Sequence, residues 1–266
     1  MDAKSLYSAG RLAEAVDAAL AHVKTNPIDV DGRFFLAELL CFQGDWDRSE
    51  KQLDAVVRQS PDANMLAMLT RQLIRAEILR EQVFAEGRSP QLVGELPDSA
   101  RIQLELCAAI RAGDNAAAEQ LAAAAEQQRT AVKNTCDGKE CADIRDLDDR
   151  IAGVVEVFTT TGKYYWVPWQ AVRSLEFSKP SRPMDLIWRK TSIDVEQGPE
   201  GEVFIPTRYP FPTAPGWDDG LRLGRATSWA GEEPSPITGL GQRMLLVGDE
   251  SITILELQRV EVAPVH

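Results

Sequence analysis

The chain has 266 residues, 44% of them hydrophobic and 26% charged, with 41 acidic against 29 basic side chains and a net charge of −12. That length and balance suit one large or two modest domains with a real core, and exclude wholesale disorder. The acidity, with no run of four or more Lys and Arg, argues against nucleic acid and anionic lipid as partners, and no stretch approaches the roughly 20 apolar residues that span a bilayer. Met1-Asp2-Ala3-Lys4-Ser5-Leu6-Tyr7 lacks the apolar run of a signal peptide, so the expected location is the cytoplasm.

The first sixty residues repeat at a spacing of 34: Leu6 with Leu40, Gly10 with Gly44, Leu12 with Trp46, Ala15 with Ser49, Ala19 with Leu53, Val23 with Val57, Pro27 with Pro61. This is the period of a tetratricopeptide repeat, in which a Gly turns between two antiparallel helices and a Pro stops the second. It predicts four helices in two stacked pairs, turning at Gly10 and Gly44. Met65, Leu66, Leu69, Leu73, Ile74, Ile78 and Phe84 then fall at three- and four-residue steps, predicting an amphipathic helix over 62–86 opened by Ser60-Pro61-Asp62. Ser89-Pro90 to Leu96-Pro97 interrupts, and a looser third copy follows, with Gly113-Asp114 echoing Gly44-Asp45 between an apolar helix and the Ala-rich run Ala116 to Ala125.

The pattern changes near Asp143. Val154 to Phe158 and Tyr164 to Val167, separated by Thr161-Gly162, read as a hairpin. Further strands are predicted over 172–177, 186–193, 202–205, 244–247 and 252–260, with dense Pro and Gly between 178 and 241. The expected class is α+β: a tetratricopeptide-like helical stack over 1–142 followed by an antiparallel strand-rich domain over 143–266, the two packed together.

Sites of chemistry are harder to find. No phosphate loop, dinucleotide fingerprint, nucleophile elbow or His-Glu-x-x-His is present, and the only histidines are His22 and His266. Cys136 and Cys141 have the spacing of half a metal site without a second half, so reduced thiols and no metal are expected. Asp143, Asp146, Asp148 and Asp149 lack the alternation and Gly of a calcium loop; with Arg145 and Arg150 between them they read as a solvated, ion-paired short helix joining the halves, or as an acidic docking surface. Tyr164, Tyr165, Trp166 and Trp169 suit either a core or a recognition platform, as do Phe34, Phe35, Phe42 and Trp46. Phe35, Leu39, Phe42 and Trp46 are the chosen partner-binding residues, because they lie on or beside the first helix of the second repeat, the element that lines the inner face of such stacks.

The order of segments resembles a known family. Ala142-Asp143-Ile144-Arg145-Asp146-Leu147-Asp148-Asp149-Arg150 is followed by Val154 to Phe158, then by Gly162-Lys163-Tyr164-Tyr165-Trp166-Val167-Pro168 and Arg173 to Phe177. Asp185 to Arg189 and Gly201 to Pro210 complete the run. The whole resembles the ImpE/TagJ (SciE) family of bacterial type VI secretion accessory proteins. That resemblance implies a non-catalytic, cofactor-free accessory protein. It would bind the N-terminal helix of the small sheath subunit, TssB, and tune sheath assembly or disassembly by the ClpV unfoldase. The alternative is an enzyme with a small-molecule site in the strand region, marked by a pocket holding two titratable side chains within hydrogen-bond reach.

Overall fold

In the computed structural model, helices α1 (Ala3–Ser8), α2 (Leu12–Thr25), α3 (Val30–Gln43) and α4 (Trp46–Gln59) follow one another as two hairpins, turning at Gly10 and Gly44 as the repeat predicts. The described residues are 1–210 and 217–263; part of the Pro- and Gly-dense stretch, 211–216, and the terminus with His266 lie outside them. Gly44 has φ +74°, where its N–H reaches Cys41 O and the next N–H, of Asp45, reaches Leu40 O. Asp45 then caps α4 by accepting from Arg48 N–H. An L-residue with a branched Cβ is disfavoured in that region, so Gly44→Val is expected to lower the unfolding free energy by about 1–2 kcal/mol, read from the denaturant midpoint.

The helices bury one stripe each, except α3. Leu12, Ala15, Val16, Ala19 and Val23 form the stripe of α2, and Trp46, Ser49, Leu53 and Val56 that of α4. On α3 every residue from Leu36 to Phe42 is buried, so this helix is enclosed on all sides over two turns. A 3-10 turn at Pro61–Ala63 leads into α5 (Asn64–Glu86), close to the predicted 62–86, and α5 ends at Gly87. After the short strand β1 (Gln91–Leu92), α6 (Asp98–Ala112) and α7 (Asn115–Gln128) form the third hairpin about Gly113.

Among the described residues thirteen further strands follow: β2 (Asn134–Cys136), β3 (Lys139–Cys141), β4 (Ile144–Asp146), β5 (Val154–Phe158), β6 (Tyr164–Pro168), β7 (Val172–Phe177), β8 (Trp188–Val195) and β9 (Glu200–Pro206); then, past the one-turn helix α8 (Asp219–Arg222), β10 (Thr227–Ala230), β11 (Thr238–Gly241), β12 (Met244–Val247), β13 (Glu250–Thr253) and β14 (Arg259–Val262). The main sheet runs β1-β6-β5-β9-β8-β7-β14-β2-β3, antiparallel but for the β1–β6 pair, beside the sheets β13-β12-β4 and β10-β11. The class is α+β, as expected.

Alternation along the main sheet divides the core in two. Val154, Phe158, Tyr164, Trp166, Trp188 and Phe204 face the helices and share one hydrophobic cluster with them. Val155, Val157, Val167, Leu175, Ile193 and Ile205 face the other way, toward Ile144, Leu245 and Val247 of the β13-β12-β4 sheet.

Two expectations fail here. The stretch predicted as one strand over 252–260 is two, β13 and β14, in different sheets. The acidic cluster is neither a helix nor solvated: Asp146 sits on β4 opposite Leu245, and both Asp146 and Asp148 are fully buried. Asp148 is paired locally with Arg150, but Asp146 is neutralised by buried Arg243 from a distant element, which a local reading of the charges cannot anticipate.

Candidate partner-binding groove

The segment after β9 fixes the helical hairpins through their C-terminal ends. The last carbonyls of a helix have no partner inside it and carry partial negative charge, so a guanidinium satisfies them well. Arg208 donates to Phe42 O (3.1 Å), Arg222 to Gln43 O (2.9 Å), and Arg225 to Ser8 O and Tyr7 O (3.0 and 2.9 Å). Thus α1 and α3 are both anchored to the strand region at the same end.

Deeper at this junction lies a buried charge network. Glu156 on β5 accepts from Arg80 of α5 (2.8 and 2.7 Å), Arg243 (3.1 Å) and Tyr164 OH (2.5 Å). Arg80 also binds Glu77 (3.0 Å), whose other oxygen takes the Trp188 indole N–H (2.6 Å). Arg243 continues to Asp146, and Arg150 pairs with Asp148. Burial alone would raise the Glu156 carboxyl, but Arg80, Arg243 and the Tyr164 hydroxyl bring it down to about 2. For Asp146 burial prevails over Arg243 and the carboxyl rises to about 6.

With α1, α3 and α5 held, a groove of about 440 Å³ opens between them. Tyr7 of α1, Val30, Phe34 and Phe35 of α3, and Leu66 of α5 make its apolar wall, and Pro183 closes one side. Tyr7 is clamped edge-on against Phe35 (5.9 Å) and under Arg225 (5.2 Å). Met65 and Met68 of α5 and Ile28 just before α3 are also exposed, outside the groove lining. In the floor stands Glu38, only 5% exposed, whose Oε1 has no hydrogen-bond partner among the described residues. Burial pushes its carboxyl up to about 7, opposed chiefly by the Met184 backbone N–H.

Of the four residues chosen from sequence, only Phe35 lies on the groove. Leu39 and Phe42 have no exposed surface, and Trp46 is 9% exposed, its indole donating to Glu81 (3.1 Å) and its ring 6.1 Å from Trp188. Leu39 and Phe42 lie in the core because α3 is enclosed from Leu36 onward, and Trp46 lies in the buried stripe of α4. The signal for Glu38 in the sequence is a single carboxylate set within the apolar run Phe34-Phe35-Leu36-Ala37-Glu38-Leu39-Leu40. Tyr164, Trp166 and Trp169 are likewise core rather than platform.

A second, larger groove of about 1140 Å³ lies between α7 and the β13-β12-β4 sheet, beside Trp229. Arg145 pairs there with Glu126 and Asp149, each at 2.8 Å, and Glu119 and Glu233 also line it, Glu119 accepting from the Ser235 hydroxyl. A guanidinium stays protonated, so the Arg145 contacts are ion pairs rather than a proton-transfer couple. Cys136 and Cys141 are free thiols on β2 and β3, the first buried.

Helical hairpins docked through arginine-capped ends onto an antiparallel sheet, with an apolar groove left between the helices, define a protein of stacked helical hairpins joined to a sheet region. The family model described as ImpE protein matches residues 138–261. Over 264 residues, 99% of this chain and 92% of the relative, the sequence is 30% identical to the type VI secretion system accessory component TagJ of Pseudomonas aeruginosa. A crystal structure of a protein from Vibrio parahaemolyticus, 28% identical, superposes with a TM-score of 0.91 over 99% of this chain and 98% of that one. The chain belongs to the ImpE/TagJ family.

Proposed function

We propose that the chain is a non-catalytic accessory protein of a bacterial type VI secretion system. In this reading it works in the cytoplasm as an adaptor, holding the N-terminal helix of the small sheath subunit TssB in the groove between α1, α3 and α5. By doing so it tunes sheath assembly or ClpV-dependent disassembly. Likeness to TagJ along 99% of the chain supports the system. The observation that carries the mode of action is the groove itself: an open apolar trough lined by Tyr7, Phe34, Phe35 and Leu66 suits the apolar stripe of a single helix. The rival reading, an enzyme in the strand region, would have to use the second groove, where Arg145 is already paired with Glu126 and Asp149, or the cleft lined by Lys133, Glu140 and Cys141.

Calorimetric titration with a peptide of the TssB N-terminal helix tests this. Saturable binding is expected, with Phe35→Ala costing about 1–3 kcal/mol of affinity. Moderate salt should change the affinity little, because screening acts on exposed charge pairs rather than on apolar contact. Absence of binding overturns the adaptor reading.

A further inference from the structure

Glu38 presents a carboxylate that the fold leaves half-satisfied. Its Oε1 is buried without a hydrogen-bond partner among the described residues, and the Met184 backbone N–H is the chief group favouring its charge. The charged groups around it do not complete it. Arg182 pairs with Asp185 at 3.9 Å, Lys4 of α1 stands exposed on the rim without an ion pair to Glu38 among the described residues, and Asp31 is of like sign. Tyr7 faces the same space from α1, its hydroxyl held neutral by burial. A carboxylate desolvated this far and lacking an acceptor's partner is unfavourable in the free protein, whereas a cation entering the groove would turn the same group into a buried ion pair. The surrounding wall is apolar, so the cation must arrive on an apolar carrier.

We propose that Glu38 is a specificity determinant of this groove: the helix it takes carries one Lys or Arg within its apolar stripe, and that side chain pairs with Glu38 Oε1. The proposal rests on the adaptor reading for the groove's use, and adds the chemistry by which one helix is chosen over another. A Lys or Arg suits the position because its methylene stem packs on Phe34 and Phe35 while its head reaches the floor. Helices with Leu or Glu there would leave the carboxylate unpaired or repelled.

Binding is then coupled to protons. Free Glu38 is protonated in about half the molecules near pH 7, and the bound cation holds it ionised. Affinity for a Lys-bearing helix should therefore rise about tenfold from pH 6 to pH 8, the ratio of ionised fractions for a carboxyl titrating at about 7.

The experiment titrates the full chain and Glu38→Gln with two kinds of probe, the TssB N-terminal helix peptide and a pair of designed Leu-striped helices differing by Lys against norleucine at the central stripe position. The expected result has three parts: the designed Lys helix binds wild type about tenfold more tightly than its norleucine counterpart at pH 8; the preference disappears in Glu38→Gln; and the pH dependence flattens with it. Circular dichroism of Glu38→Gln controls for folding, which the neutral isostere should leave intact. If the TssB peptide binds while neither the Lys preference nor the pH dependence is seen, the Glu38 assignment is overturned and the adaptor reading stands. If the designed Lys helix shows the preference but the TssB peptide does not bind, the groove chemistry stands and the adaptor reading fails. If no helix binds, both fall.

Discussion

Glu156→Gln is expected to lower the unfolding free energy by about 3–5 kcal/mol, the usual cost of breaking a buried ion pair from one side. The substitution keeps the volume and one acceptor oxygen but removes the charge that Arg80 and Arg243 share. Those guanidiniums are 1% exposed and could not recover their loss in water. Arg80 would keep only Glu77, and Arg243 only Asp146, within a region that also holds Arg150 and the buried Arg208. The measurement is a urea midpoint at pH 7 at unchanged m-value, since the denatured state gains nothing from the change. An effect below about 1 kcal/mol would mean that the helices and sheet do not depend on this network for their mutual placement.

Acid titration provides a second reading of the same group. The Glu156 carboxyl lies at about 2 in the folded protein, below its ordinary value of 4.5. A depressed folded value contributes stability that is fully present above pH 4.5 and is lost as pH falls toward about 2. Glu38 and Glu81 behave oppositely: burial holds both at about 7, so folding favours their protonated forms and their contribution fades as pH rises through neutrality. The wild-type protein should therefore lose stability steeply below pH 4.5, and Glu156→Gln should flatten that limb while leaving the neutral one alone.

What the sequence discloses is set by how local the cause is. The hairpins at Gly10 and Gly44 depend on turn chemistry a few residues long, and the strands over 154–158, 172–177 and 244–247 on β-branched and aromatic runs; all are found where expected. Asp146 and Glu156 depend on arginines far along the chain: Arg80 is 76 residues from Glu156, and Arg243 is 97 from Asp146. Read one segment at a time, such charges look like ordinary surface, which is how the acidic cluster came to be predicted as a solvated helix. Strands β2 and β3 are three residues each, Asn-Thr-Cys and Lys-Glu-Cys, too short and polar to show alternation. They exist because β14 offers Val260, Glu261 and Val262 as a template for β2. The groove was half legible. Its helix and Phe35 follow from the repeat, but which face of α3 stays open depends on the 3-10 turn around Pro183 and on Arg208, both contributed from beyond the helices.

That distinction between wall and core gives the second large effect. Phe42→Ala is expected to destabilise the fold by about 3–5 kcal/mol, as for other fully buried Phe side chains. Phe42 has no exposed surface; its ring packs against Tyr7 (5.6 Å) and beneath the Arg208 guanidinium (5.4 Å), so truncation opens a cavity at the point where the strand region caps α3. Phe35 is half-buried, loses less packing when truncated, and should cost about 1–2 kcal/mol of stability. Helix binding should rank the two in reverse, once each variant is measured well below its melting temperature. In the adaptor reading Phe35→Ala removes surface that a bound helix would touch, whereas Phe42→Ala would leave the wall in place and act on binding only through the fraction folded. A thermal melt and a peptide titration on both variants separate the effects. Equal losses of affinity at full folding would show that the core beneath Phe35 shapes the groove, so that Phe42 and Leu39 position the wall without ever meeting the partner.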